Sequence, residues 1–354
     1  MPSTIADVAR VAGGGRGTVS RVINDQTNVD PATRARVLEA IAHLDYVPST
    51  VARRLSLGRT QTIAVVVPFL TTASVVARLR GIESGIAAAG LDMIVFAVET
   101  VERRDAVMRD LPRPERIDGL ILVSLAPHDD EVARVKRSGL PTVLVDAHHP
   151  QLPRVVVDDL DGGRMAAQHL LDLGHLRIGF VGDTPQPGFG FTSSRLRQRG
   201  VDRALKVEGL AMPDSVIGLG APTRERARDL AAAILTQHRP PTAIVAASDV
   251  QALGVLEAAR DVGVEVPAEL SVVGYDDIEA ADYLGLTTIR QPLFQTGQRA
   301  VVRLLDIIEG RPAGPLREVM DVQLVVRRTT ALHPSDSRET STTTVSFGRA
   351  RGDQ

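Results

Sequence analysis

Cysteine is absent from all 354 residues, which excludes disulfide staples, thiolate metal sites and cysteine nucleophiles. Tryptophan is absent too, and with three Tyr and seven Phe, aromatic platforms for stacking a ligand are scarce. No apolar run approaches the roughly 20 residues needed to span a membrane. With 44% apolar and 24% charged residues, the chain has the composition of an ordinary globular protein. Of 41 basic residues only Lys136 and Lys206 are lysine, a bias that carries no functional weight. The opening MPSTIADVAR lacks a basic stretch followed by an apolar core, so no secretory signal is read and the cytoplasm is the expected location. No His-Glu-x-x-His and no Gly-x-Ser-x-Gly occurs, so the sequence reads as a non-enzyme with no metal and no cofactor. Asp158, Asp159 and Asp161 crowd before Gly162-Gly163, and a helix-capping role for Asp161 outweighs a metal site without histidine.

What is present is unevenly distributed. The net charge is −2, but the first sixty residues hold eight Arg against five acidic residues, a small basic end on an acidic body. That asymmetry permits nucleic-acid binding at the N-terminus without establishing it. The length suggests two or three domains.

The N-terminal part reads as short helices. Thr4-Ile5-Ala6-Asp7 is a capping-box pattern, Gly13-Gly14-Gly15 breaks the first helix, and Thr18 to Ile23 restarts one with Val19, Val22 and Ile23 inward. A third helix opens with Asp30 as cap and Pro31 in its first turn. Ser49 to Ser56 is helix-like but too short to be stable alone. A helix-turn-helix would place Arg16, Gly17 and Arg21 near the start of the recognition helix, where arginine matches the guanine edge. A plain three-helix bundle with a solvated arginine face would show the same local pattern.

From Thr62 short apolar runs alternate with amphipathic helices. The strands read are 63–67, 93–97, 119–123, 142–145, 155–157, 178–181, 243–247, 271–275 and 287–291, with helices such as 75–89 and 249–262 between them. Near-continuous Val/Ile/Leu strands indicate sheets buried on both faces. Nine strands exceed one comfortable sheet, so two similar doubly wound, mainly parallel α/β lobes with a cleft are expected. From Pro334 the chain is polar and patternless, and a disordered tail is expected. The pattern divides the chain into 1–47, a small helical domain, 48–60, a short helix and linker, 61–332, a two-lobed body, and 333–354, a tail.

The motifs Thr4-Ile5-Ala6-Asp7-Val8-Ala9, Ala12-Gly13, Thr18-Val19-Ser20-Arg21-Val22-Ile23-Asn24, Tyr46-Val47-Pro48, Ala52-Arg53-Arg54-Leu55, Arg80-Gly81-Ile82-Glu83, Gly174-His175, Ser271 to Asp277 and Leu286-Thr287-Thr288 stand in order. In these the chain resembles the lac repressor (LacI/GalR) family of bacterial transcription regulators, over about residues 4 to 332. The resemblance implies a periplasmic-binding-protein-like body and a dimeric, effector-controlled repressor that binds a palindromic operator in double-stranded DNA. It implies DNA contacts from Thr4, Arg16, Gly17, Thr18, Ser20, Arg21 and Asn24, with Leu55 as a wedge into the minor groove; an ordinary packing leucine is the alternative there. It further implies a small-molecule effector, a sugar among the candidates, held by Asp146, Arg197, Ser248, Asp276 and Gln291, with Thr72 and Ser74 at cleft positions where the family often has Asn and an aromatic; Phe189 and Phe191 are the stacking candidates, with loop packing as the alternative. It implies helix-turn-helix, hinge, and effector-binding and dimerisation roles for 1–47, 48–60 and 61–332 in turn. Arg197 and Asp276 are expected as donor and acceptor on opposite sides of the cleft.

Two departures from the family turn stand at Gly14, read as the loss of a buried side chain, and Gly15, read as the loss of a capping hydroxyl. A solute-binding receptor would share the body but lack the helix-turn-helix. A sugar or nucleotide enzyme would need a phosphate-binding glycine loop after a strand, and none is found.

Overall fold

The computed structural model describes residues 3–23, 28–46, 59–186, 188–312 and 314–333. Asn24, Pro48, the segment 49–56 with Leu55, and the tail from 334 lie outside the described residues. The chain divides into two compact units, Met1–Thr62 with Arg113–Asp118, and Ile63–Pro112 with Gly119–Gln354.

In the first unit, helices α1 (Ile5–Val11), α2 (Arg16–Ile23) and α3 (Pro31–His43) surround Val8, Ala9, Ala12, Val19, Val22, Val37, Ala40 and Tyr46. The capping box forms as the sequence predicts: the Thr4 backbone N–H donates to Asp7 Oδ2 at 3.0 Å, and the Asp7 N–H donates to Thr4 Oγ1 at 3.4 Å. Asp30 caps α3 by accepting from the Thr33 N–H at 3.0 Å. The glycine break is a helix stop of defined geometry. Gly13, at φ +63°, donates to the Arg10 carbonyl and Gly14 donates to the Ala9 carbonyl at 2.9 Å, which is the Schellman pattern.

Two sequence expectations are corrected here. The second helix starts at Arg16 rather than Thr18, with the Gly15 carbonyl accepting from the Thr18 and Val19 N–H groups. Gly14 leaves no hole in the core, because it is exposed and a Cβ built there meets nothing within 4 Å.

The second unit holds two six-stranded sheets. In the first lobe the order is β11 (Arg317–Met320), β5 (Arg154–Val157), β4 (Thr142–Val145), β3 (Gly119–Val123), β1 (Thr62–Pro68), β2 (Asp92–Val98). In the second it is β12 (Gln323–Val325), β10 (Thr287–Arg290), β9 (Ser271–Asp276), β8 (Ala243–Ala246), β6 (Ile178–Asp183), β7 (Ile217–Gly220). The strands β1, β3, β4, β8 and β9 are buried along their whole length, as continuous apolar runs require. Pairing is parallel from β11 through β5, β4 and β3 to β1, and from β7 through β6, β8 and β9 to β10; β12 joins β10 antiparallel.

Helices α4 (Ala73–Ala88), α5 (Val101–Asp110), α6 (Asp129–Ser138) and α12 (Leu293–Ile308) belong to the first lobe. Those of the second are α7 (Asp159–Asp172), α8 (Ser193–Val207), α9 (Arg224–Leu235), α10 (Asp249–Val262) and α11 (Glu279–Leu284). The chain crosses between lobes after β5, after β10 and after β11, so the two lobes interleave in sequence. Crossings place the C-terminal strand ends of both sheets around one cleft, where open α/β sheets bind ligands.

Candidate functional site

At the N-terminus, Arg16, Gly17 and Arg21 are exposed on α2, while Thr18 and Ser20 are half-buried. Val19 and Val22 on the opposite face anchor the helix to the three-helix core. Gly17 carries no side chain, and a Cβ there would lie 3.8 Å from Arg21 Nη2, so the Arg21 side chain lies back over the Gly17 position. Thr4 engages its hydroxyl in the capping box, donating to Asp7 Oδ2 at 2.7 Å and accepting from the Asp7 N–H. Arg16 sits at the end of the helix where the macrodipole is positive, a favourable place to meet phosphate or a base edge.

The cleft is built from strand ends. Phe69, Ser124 and Asp146 follow β1, β3 and β4, and Asp276 ends β9; all four have left-handed φ, at 46°, 49°, 53° and 120°. Such a conformation costs about 1 to 3 kcal/mol at a non-glycine residue and gathers at functional sites. Here it turns Asp146 from the first lobe and Asp276 from the second towards a common polar cluster.

That cluster spans the lobes. Arg78, buried on α4, pairs with Asp146 at 3.2 Å and donates to Gln291 Oε1 at 3.0 Å. Gln291 in turn donates from Nε2 to Asp276 Oδ1 at 2.6 Å. Ser124 donates to Asp146 Oδ2 at 2.7 Å. Arg197 on α8 pairs with Asp159 at 2.8 Å, donates to the Ala247 carbonyl at 2.5 Å, and reaches Asp276 at 3.9 Å. Its guanidinium lies 3.7 Å above the centroid of the Tyr275 ring, a cation–π contact in a dry setting. Burial works against the charge on Arg197, but Asp159, then Tyr275, Asp276 and Asp146, more than compensate and hold it protonated. Burial pushes the Asp276 carboxyl up to about 6, against the opposing pull of Arg197 and Arg78.

Around this cluster lie two pockets. One, about 310 Å³, is lined by His128, Asp183, Phe191 and Arg195 among others; the second, about 240 Å³, is lined by Asp146, His148, Asp159, Ser193 and Arg317 among others. The volumes suit a small polar molecule.

The predicted cleft residues divide clearly. Asp146, Arg197, Asp276 and Gln291 converge in the cluster. Arg197 and Asp276 do not face each other across the cleft, since α8 and β9 both belong to the second lobe; the acceptor in the first lobe is Asp146. Phe189 and Phe191 stack on each other at 5.2 Å, and Phe189 stacks on Phe69 of the first lobe at 5.7 Å. Together the rings form an apolar wall rather than separate platforms. Ser248 caps α10 by accepting from the Gln251 N–H at 3.2 Å and donates to Gln251 Oε1 at 3.0 Å. Gln251 carries the link onward to Asp183 at 2.9 Å. Thr72 is exposed, Ser74 is half-buried, and neither hydrogen-bonds to the cluster. Asp158 rather than Asp161 caps α7, which frees Asp159 to pair with Arg197.

Sequence reasoning missed Arg78, Asp159, Tyr275 and Phe69. A charged residue on the apolar face of an amphipathic helix, as Arg78 is among Val75, Ile82 and Ile86, was the available signal for the first.

A helix-turn-helix unit followed by a two-lobed body with a polar cleft defines a DNA-binding transcription regulator, and the known proteins most like this chain agree. The model of bacterial regulatory proteins of the lacI family matches residues 4–49, and that of the periplasmic binding protein-like domain matches residues 167–330. Catabolite control protein A of Priestia megaterium is 33% identical over 309 residues, covering 86% of this chain and 92% of its own. The HTH-type transcriptional repressor CytR of Escherichia coli (strain K12) is 31% identical over 337 residues, 94% of this chain and 97% of its own. The solved lac repressor dimer, bound to operator and the anti-inducer ONPF, superposes with a TM-score of 0.83 at 30% identity, covering 94% of this chain and 100% of that one. The chain belongs to the lacI family of bacterial regulatory proteins. Among the described residues no helix is long and apolar enough to cross a membrane.

Proposed function

We propose that this regulator binds a two-fold symmetric operator as a homodimer and acts as a repressor, with a small molecule in the interlobe cleft setting its affinity for DNA. The observation that carries the reading is the exposed Arg16 at the first position of α2, on a helix whose other face is locked into the three-helix core. Arg16, Gly17, Thr18, Ser20, Arg21 and Asn24 form the major-groove set, with Thr4 at a phosphate and Leu55 at the centre of the site. The 1–47, 48–60 and 61–332 division assigns DNA reading, linkage, and effector binding with dimerisation in that order. The lac repressor structure supports an operator-bound dimer. A cellobiose complex of the regulator CelR and a ribose-bound lacI-family regulator from Enterococcus faecium, 30% and 26% identical, support a carbohydrate effector. The effector and the operator must then influence each other's affinity by the same factor.

The test uses the full-length chain and random duplex DNA. Wild type should enrich one motif. Arg16→Ala should bind the best site about 1 to 3 kcal/mol more weakly and relax preference at one base pair per half-site. An unchanged motif with the variant would reduce Arg16 to a phosphate contact.

A further inference from the structure

The chain enters β1 through a turn that the start of a strand does not require. Gln61, the residue before β1, has a left-handed φ of 52°, a strained conformation for a residue with a side chain. Asp118, the residue before β3, holds it there. Its Oδ1 accepts from the Thr60 N–H at 2.7 Å and from the Thr60 hydroxyl at 3.0 Å, and its Oδ2 accepts from the Gln61 N–H at 2.7 Å. The Asp118 N–H donates in turn to the Thr62 carbonyl at 2.8 Å. Exposed Arg113 and Arg116 stand just before Asp118 in the chain, yet both carboxylate oxygens face residues 60 and 61. All of these residues belong to the first compact unit.

Pinning a strand end is the ordinary use of such a residue, and it accounts for the bond to Thr62. It does not account for Gln61. A strand can run on upstream as extended backbone, and here a carboxylate is spent on charge-assisted bonds that hold the chain in a strained turn instead. Thr60 closes the turn from the other side: it is buried, its hydroxyl accepts from the Thr62 N–H at 3.3 Å, and its carbonyl accepts from the Thr62 hydroxyl at 3.0 Å. The turn therefore fixes the direction in which the preceding chain leaves β1. In a dimer that direction has a consequence on DNA. Two recognition helices on stiff exits meet the duplex at one separation, whereas on loose tethers they sample many, each at a lower effective concentration.

Resting on the reading of the protein as a dimeric, operator-binding regulator, we propose that Asp118 is a positioning residue that selects the half-site spacing of the operator. It acts through the turn at Thr60 and Gln61 rather than through contact with DNA. By holding that turn it restricts each N-terminal unit to one exit direction, so that operators with the same half-sites at another spacing are rejected.

Selection of the full-length protein on random duplex DNA tests this, with the distribution of half-site spacings as the readout. Asp118→Asn removes the charge and leaves one oxygen to accept where two did. Gln61→Pro breaks the turn from the linker side, because proline has no N–H and fixes φ near −65°; it decides the matter if the Asp118 variant folds poorly by thermal unfolding. Wild type should enrich one spacing. Each folded variant should keep the half-site sequence but enrich two or more spacings. Its affinity for the best wild-type duplex should fall at least tenfold, with affinity for a duplex carrying a single half-site unchanged. Folded variants that keep the single spacing and the full-site affinity overturn the proposal. A parallel loss on the single half-site overturns it too, since Asp118 would then only support the fold. If wild type itself enriches no two-fold motif, the dimeric reading fails and takes the proposal with it, a result seen before any variant is made.

Discussion

Arg197 holds the second lobe together as well as facing the cleft, so truncating it cannot report effector binding alone. Arg197→Ala would leave Asp159 buried without its ion-pair partner, and breaking a buried pair in this way costs about 3 to 5 kcal/mol. Denaturant unfolding should therefore show a large loss for Arg197→Ala and a distinctly smaller one for Arg197→Ala combined with Asp159→Asn. Additive losses would mean that the two residues are not paired in solution. Asp249 makes a second test at this scale. Burial, reinforced by the charge of Asp276, pushes its carboxyl up to about 7, while the Thr288 hydroxyl and the Ile278 N–H hold it down. The folded state then keeps a proton that the unfolded state has lost, so this contribution to stability is present at low pH and disappears as pH rises from about 4 to about 7. Asp249→Asn cannot titrate. The stability of wild type relative to this variant should fall across that window by up to a few kcal/mol, with Asp276 leaving some slope in the variant. A difference independent of pH would show that Asp249 is already ionised at pH 4.

Elements are positioned by close helix packing. A Cβ on Gly163 of α7 would overlap the Arg197 carbonyl, and one on Gly200 of α8 would overlap the Leu160 carbonyl. These two helices meet backbone to backbone, and the contact sets the height of Arg197 over Tyr275. Gly163→Ala should lower the melting temperature and weaken effector binding together, whereas Gly14→Ala, at an open exposed site, should change neither measurably. Equal behaviour of the two glycine variants would contradict this packing. Most elements were legible in sequence because buried parallel strands are continuous apolar runs and because Thr4 and Asp30 carry cap chemistry. The strands missed, β7, β11 and β12, are at sheet edges: Ile217–Gly220 is half glycine, and Arg317–Met320 and Gln323–Val325 are short, with no residue fully buried, so neither shows a continuous apolar run. Half of the cleft was legible for a related reason. Asp146 and Asp276 follow recognisable strands, but Arg78 and Asp159 lie on helices and pair with residues distant in sequence, Asp146 in the first lobe and Arg197 in the second, which no local pattern announces.

For the molecule as a whole, the charge distribution sets an expectation about ionic strength. A basic N-terminal end on a chain of net charge −2 should bind DNA mainly through released counterions, so affinity should fall steeply with salt while effector affinity changes little. A flat salt dependence for DNA would point to a partner other than the phosphate backbone. The central claim is that this chain reads DNA sequence as a symmetric dimer. Selection of the full-length protein on random duplex DNA tests it most directly. The account predicts one enriched palindrome whose half-sites are related by two-fold symmetry and spaced to suit paired recognition helices. Enrichment of no motif, or of an asymmetric motif bound by one protomer, would contradict it.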